Sequence, residues 1–279
     1  MKISFLVLVV ALAAIRSGGG TEPLCVEWTK AAVVGELPVQ LRESSGIAAS
    51  RNFPGRLYHI NDSGDAGRFY ISTLEGRDLQ TVPIADFRPR DTEALSVGPC
   101  PGAVRRSCVY VGDIGDNSRR RDTIAVVVVE EMQRFEGLVK AVARLTLRYP
   151  DGPHNAESMA VHRDGTLYIL TKEQPAVLFR AKVDSGQQTL ERVMAVDLES
   201  PPTDMAIADD GTRAIVLTYK GAVEFAMDFK ERRTVPLLSL PQQESLTYLF
   251  DGRSFAFTTE RAFPAQPQPI MRQECRSSA

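Results

Sequence analysis

Along this chain an oxygen-bearing residue, a spacer and a large apolar residue recur ahead of short apolar runs. The phrase reads Ser45-Gly46-Ile47, Glu93-Ala94-Leu95, Glu157-Ser158-Met159, Thr203-Asp204-Met205 and Glu244-Ser245-Leu246. The last three copies reach the glycine of an Asp-Gly pair after the same 8 residues, at Gly165, Gly211 and Gly252. Asp-Gly between apolar runs signals a hairpin, because the turn needs residues that tolerate positive φ. The flanking runs, such as Ser158-Met159-Ala160-Val161 with Thr166-Leu167-Tyr168-Ile169-Leu170, are short and rich in strand formers. In the first copy Pro54-Gly55 takes the place of Asp-Gly. In the second a longer loop carrying Cys100 and Cys108 precedes the strand Val109-Tyr110-Val111. Residues 123–130 form a β-prone run suited to a sheet interior.

The five openings lie 48, 64, 46 and 41 residues apart. Repeats of roughly 40–50 residues, each able to form a four-stranded sheet, are the mark of a β-propeller. The fold class is therefore all-β, a propeller of five blades, or of six if the longest interval hides an extra short unit. Residues 26–37 are expected to supply the strand that completes the last blade and closes the ring. The tail, 261–279, holds three prolines and is expected to run along the surface.

Composition adds little to this pattern. With 43% hydrophobic and 24% charged residues and a formal charge of −2, the chain is an ordinary globule, with no general argument for a nucleic-acid polymer or a membrane surface as partner. Residues 1–14 carry a lone Lys2 and then an apolar run with Ala11-Leu12-Ala13 as a small-x-small site. This reads as a secretory signal peptide, too short to span a bilayer. The expected organisation is a signal at 1–20 and a single propeller domain at 21–279, secreted or periplasmic and monomeric. Four cysteines in an exported chain should pair. The repeat favours Cys100–Cys108, which pinches one hairpin, and Cys25–Cys275, which joins the termini where the ring closes.

If the first strand of each blade lines the channel, Ser45, Glu93, Glu157, Thr203 and Glu244 converge on one axis. Three carboxylates there repel one another unless some take up protons or a cation sits among them. Oxygen ligation without His or Cys suits a hard ion, and the adaptable geometry of a ring suits Ca2+ better than Mg2+. The alternative is a wet channel whose carboxylates bond to backbone amides. The second strands end on polar residues, so Asn61, Asp62, Asp113, Lys172, Glu173, Lys220 and Glu260 are expected at a single mouth. Asn61, Lys172 and Lys220 are placed there to contact a ligand. The acidic turn after Asn61 lacks the glycine and terminal glutamate of an EF-hand. Neither a Gly-x-Ser-x-Gly elbow, a His-Glu-x-x-His pair nor a phosphate-cradling loop before a helix occurs.

The order Ser, Glu, Glu, Thr, Glu at the openings, with Val109-Tyr110-Val111-Gly112-Asp113-Ile114-Gly115 after the second, resembles the secreted five-bladed calcium-activated nucleotidases (apyrases). Asn61-Asp62-Ser63-Gly64 and Gly112-Asp113-Ile114-Gly115-Asp116-Asn117 are also similar to phrases in exported bacterial propeller proteins. The resemblance implies a central calcium on Ser45, Glu93, Glu157, Thr203 and Glu244. In the nucleotidases an acidic pair acts on the phosphate chain, and the matching place here holds Asn61-Asp62. Asp62 is then the residue that orients water, with Asp113 or Asp116 assisting. Two functions follow as expectations. One is a calcium-dependent hydrolase of phosphate esters or anhydrides, acting at the mouth. The other is a binding propeller in which the ion is structural and the mouth holds an extracellular carbohydrate, peptide or protein.

Overall fold

The computed structural model describes residues 24–276 other than 63, 185, 239 and 262–265; the signal peptide expected at 1–20 lies outside the described residues. The chain enters through β1 (Ala32–Glu36). The first blade is β2 (Ser44–Ala49), β3 (Arg56–Asn61), β4 (Arg68–Thr73) and β5 (Gln80–Pro83). The second is β6 (Thr92–Cys100), β7 (Ala103–Asp113), β8 (Ile124–Glu130) and β9 (Ala143–Arg148). The third is β10 (Ala156–Val161), β11 (Thr166–Thr171), β12 (Ala176–Lys182) and β14 (Glu191–Val196). Its excursion β13 (Gly186–Thr189) adds in parallel to the outer edge of the second blade, along β9. The fourth is β15 (Pro202–Ile207), β16 (Arg213–Thr218), β17 (Gly221–Ala226) and β18 (Arg232–Val235). The fifth is β19 (Gln243–Tyr248), β20 (Ser254–Thr259) and β21 (Pro269–Glu274), completed by β1 in antiparallel register. This is a five-bladed β-propeller. Among the described residues no helix is long and apolar enough to cross a membrane.

The turns follow the sequence. Gly55, Gly165, Gly211 and Gly252 all adopt positive φ at the hairpins between first and second strands. Five clusters of buried apolar side chains form the core, one between each pair of neighbouring blades. Met159 and Tyr110 belong to the cluster between the second and third, and Leu246 and Phe255 to that between the fourth and fifth. Each such side chain contributes about 1.5–3 kcal/mol through burial. Closure is double: β1 pairs with β21, and the Cys25–Cys275 disulfide joins the segments just outside them. Trp28 packs edge-on against Phe255 at 5.0 Å inside the closing blade.

Two expectations need correction. The tail does not simply run over the surface: its segment β21 is an interior strand of the fifth blade, with Ile270 and Met271 buried. The prolines at 264 and 267 precede the strand, and Pro269 sits at its first residue, where a missing amide is tolerated. The region of Cys100 and Cys108 is also not an expanded loop. Strands β6 and β7 stay paired out to Cys100↔Ala103, and the Cys100–Cys108 disulfide staples the extended hairpin.

In β3, Tyr58 and Ile60 face the second blade, so the alternation of the strand turns His59 to the other side. There it is fully buried. Ser72 Oγ donates to the carbonyl of Thr73 and accepts from His59 Nε2 at 2.8 Å, leaving Nδ1 buried without a partner. Burial pulls this imidazole down to about 3 from the ordinary 6.5. With the folded value depressed, the unfolded chain binds the proton first, so stability falls as pH drops from 6.5 toward 3. At pH 5 the loss from this group is about 2 kcal/mol. The difference in denaturation free energy between wild type and His59→Gln should therefore shift by about that amount between pH 7 and pH 5. Parallel acid profiles for the two proteins would refute the assignment.

Candidate functional site

The five opening residues share one local device. In every innermost strand the register slips at the opening residue: Ser44 and Gly46 pair with Asn61 and Ile60, and the same slip spans Glu93, Glu157, Thr203 and Glu244. A β-bulge leaves its extra residue out of the ladder and re-aims the side chain. Four of the five side chains, those of Ser45, Glu93, Glu157 and Glu244, thereby line a cavity of about 160 Å³, together with Glu43, Asp62, Lys172, Tyr219 and Glu260. Thr203 occupies the equivalent bulge but is not part of the cavity lining, and its hydroxyl donates to the carbonyl of Gln243 at 2.9 Å.

The site is asymmetric. On the side of the third to fifth blades, Lys172 Nζ donates to Glu157 Oε1 and, at 2.8 Å, to the hydroxyl of Tyr219. Burial works to lower the Lys172 ammonium, but Glu157 and Tyr219 outweigh it and hold the group charged well above the usual lysine range. On the side of the first and second blades, the carboxylates of Asp62, Asp91 and Glu93 each place an oxygen within 4.8 Å of the others. Ser45 Oγ donates to Glu93 Oε2 at 2.9 Å.

Crowding shows in the acidities. Burial first, then the charges of Asp62, Glu157 and Asp91, push Glu93 up to about 10. Burial and Glu157 push Glu244 up to about 8. Burial raises Glu157 to about 7 against the opposing pull of Lys172, and burial with Asp62 raises Asp91 to about 6. Glu157 is 4% exposed, and its second oxygen, Oε2, is buried without a hydrogen-bond partner. A buried carboxylate oxygen left unpaired is costly.

The remaining sequence-stated candidates lie elsewhere. Asp113 is buried, and its Oδ1 accepts from the amides of Arg90 and Asp91 and from Arg121 Nη1 at 2.9 Å. Asp116 accepts the amide of Arg121 at 2.7 Å. Both tie down a loop and do not line the cavity. Asn61 pairs with Ser44 in the ladder, its amide nitrogen donates to the carbonyl of Gln40 and to Asp65, and it does not line the cavity. Tyr219 and Lys220 form the two-residue turn between β16 and β17. Tyr219 enters the cavity, whereas Lys220 lines an outer groove with Asp197, Glu199 and Arg232. Glu173 bonds to His154, whose ring also meets Asp151 and packs on Tyr149 and Phe179. Of the basic run 119–121, Arg121 is held inside by Asp113, and Arg119 reaches Glu173 at 3.4 Å.

Glu43, Asp91, Gln242 and Tyr219 escaped the sequence reading. Three of them carried a signal there. Glu43, Asp91 and Gln242 stand two residues before an opening, as does Asn155.

No protein-family model matches the chain, and no curated protein does. Among solved structures, a chain of hydrazine synthase from Kuenenia stuttgartiensis aligns over 78% of this chain and 56% of its own length, at 14% identity and a TM-score of 0.43. A likeness that remote carries no argument about activity or ligand. The resemblance to calcium-activated nucleotidases gains no support from these matches.

Proposed function

We propose that this chain is an exported calcium-binding propeller whose axial mouth recognises a small molecule bearing an anionic oxygen group. The observation that carries the reading is the buried, unpaired Oε2 of Glu157 in a cavity lined by Glu43, Asp62, Glu93, Glu157, Glu244 and Glu260 with the single ammonium of Lys172. Six carboxylates against one cation leave a charge deficit that a hard divalent ion relieves, and the donors are all oxygen, as Ca2+ prefers. Glu93, Glu157, Ser45 and Asp62 are the residues that would hold it. Calcium bound there would supply a Lewis acid for a ligand's oxygens. Lys172 and the Tyr219 hydroxyl, on the opposite side, offer donors to the same anionic group. Export rests on the signal-like segment at 1–20 and is compatible with the two disulfides.

Hydrolysis of a phosphate ester or anhydride is the second reading, favoured by Asp62. It follows β3 at the rim and lies beside Asp91 and Glu93, where it could orient water toward a bound phosphate. The loss of Asp113 and Asp116 to structural bonds makes Asp62 the sole remaining candidate of the three for that role.

Thermal melts of the purified protein in calcium and after chelation test the first reading. At calcium 100-fold above Kd the stabilisation is about 2.7 kcal/mol, a rise of roughly 5–10 °C for a chain of this size. An unchanged melting temperature defeats the reading. A phosphate-release screen on nucleoside di- and triphosphates tests the second: calcium-dependent turnover abolished in Asp62→Asn supports it, and turnover that survives the substitution removes Asp62 from it.

A further inference from the structure

The loop Gly112-Asp113-Ile114-Gly115-Asp116-Asn117 supplies no cavity carboxylate of its own, yet two of its bonds hold the backbone of Asp91, outside it. Asp113 Oδ1 accepts the amides of Arg90 and Asp91, at 3.1 and 2.9 Å. Gly115 donates its amide to the carbonyl of Asp91 at 3.1 Å. The carboxylate of Asp91 then lies directly over Gly115. A Cβ added there would stand 2.4 Å from Asp91 Oδ2 and 2.7 Å from Glu93 Cγ. Arg121 locks the other side of the loop through Asp113 and the carbonyl of Gly115. The backbone of Asp91 is thus fixed, and its carboxylate is packed against Gly115 beside Asp62 and Glu93.

Resting on the calcium reading above, we infer that the cation seat is eccentric: Asp62, Asp91 and Glu93 hold the ion at the first and second blades, and Asp91 is a ligand positioned by Asp113 and Gly115. Two features of the cavity agree with this placement. Lys172 already occupies Glu157 Oε1 and Tyr219, so the far side carries its own positive charge, and a divalent ion is driven away from it. Glu157 Oε2, buried and without a hydrogen-bond partner, belongs to the same cavity as Asp62 and Glu93 and is free to reach toward the ion from the third blade. Glu244 lines the cavity on the fifth blade and is not needed for the seat.

Calcium affinity measured by titration calorimetry separates this arrangement from a symmetric axial ring. Asp91→Asn should weaken calcium binding at least tenfold. Gly115→Ala, which removes no charge, should do the same by displacing the Asp91 carboxylate. Glu244→Gln should change affinity less than threefold. In chelator, Asp91→Asn should melt no lower than wild type, which separates a lost ligand from a damaged fold. Should Gly115→Ala fail to fold, Asp91→Glu, which moves the carboxylate by one methylene, replaces it and should also bind more weakly than wild type. Asp91→Asn binding within threefold of wild type, or Glu244→Gln losing more than Asp91→Asn, overturns the eccentric seat and leaves the calcium reading standing. A wild-type protein that binds no calcium overturns both.

Discussion

Replacing Cys25 and Cys275 together by serine should cost about 5 kcal/mol of stability, roughly twice the loss on replacing Cys100 and Cys108. The two bridges differ in what they restrain. Cys25–Cys275 spans a sequence separation of 250, Cys100–Cys108 one of 8. In the loop-entropy description the long bridge removes far more freedom from the unfolded chain, and the short one about 2.5 kcal/mol worth. The first loss is comparable with the whole stability of many domains. The native contacts at the seam are modest by comparison. Outside β1 they include the Trp28↔Cys275 bridge, Trp28 against Phe255, the amide of Thr29 donating to the carbonyl of Glu274, Gln273 Nε2 donating to the carbonyl of Thr29, and Arg276 held to Glu27 through its amide and its guanidinium. Denaturant titrations of wild type and both double variants measure the difference. Equal midpoints for the two variants would show that closure rests on the β1–β21 ladder and not on the covalent link.

The blade count, the closing strand and both disulfides were legible because they rest on spacing. Hairpin turns demand residues that accept positive φ, so Asp-Gly at a constant offset from each opening gave the register of three blades without any tertiary knowledge. The tail was less legible. Its strand, β21, pairs β20 with β1, and a pairing across the whole length of the chain leaves no local mark other than a short run, Ile270-Met271, following prolines. Strand β13 is similar: Gly186-Gln187-Gln188-Thr189 is polar, and only its parallel contact with β9 makes it a strand.

The site was half legible for a related reason. Residues of the repeat were found, since a bulge at the same position in every blade aims them alike. Residues beyond the repeat were not. Asp113 looks like a mouth carboxylate by its place at the end of a second strand, but the opening of the same blade begins with Arg90 and Asp91, whose free amides capture it. Lys220 fails because a two-residue turn sends neighbours to opposite sides, so Tyr219 and not Lys220 enters the cavity. Side-chain direction at a turn is set by backbone geometry, and composition alone does not encode it.

Glu224→Gln should cost about 3 kcal/mol of stability. Glu224 lies in β17 with 0% exposure, within the apolar run Gly221-Ala222-Val223-Glu224-Phe225-Ala226. Its Oε2 accepts the amide of Cys25 at 2.7 Å, and its Oε1 accepts the hydroxyl of Tyr248 at 2.9 Å and meets Arg213 Nη1 at 3.4 Å. Arg213 is itself buried and also donates to the carbonyl of Gly252. Glutamine keeps the volume but removes the charge, so the guanidinium stays inside the protein facing a neutral amide, with Asp210 3.7 Å away at the surface. Breaking one half of a buried ion pair costs more than the pair contributes, because the survivor loses part of its compensation and cannot regain water. The double variant Glu224→Leu with Arg213→Met removes both charges and should recover most of the loss. Because Glu224 also accepts from Cys25, its substitution should cost less in the Cys25→Ser/Cys275→Ser background, where the N-terminal segment is no longer held against it. Denaturant titration of wild type, Glu224→Gln, Glu224→Leu/Arg213→Met, Cys25→Ser/Cys275→Ser and Glu224→Gln in that last background measures both effects. A loss under 1 kcal/mol for Glu224→Gln would show that the pair is screened in solution, and an undiminished loss in the serine background would show that the Cys25 amide is not coupled to it.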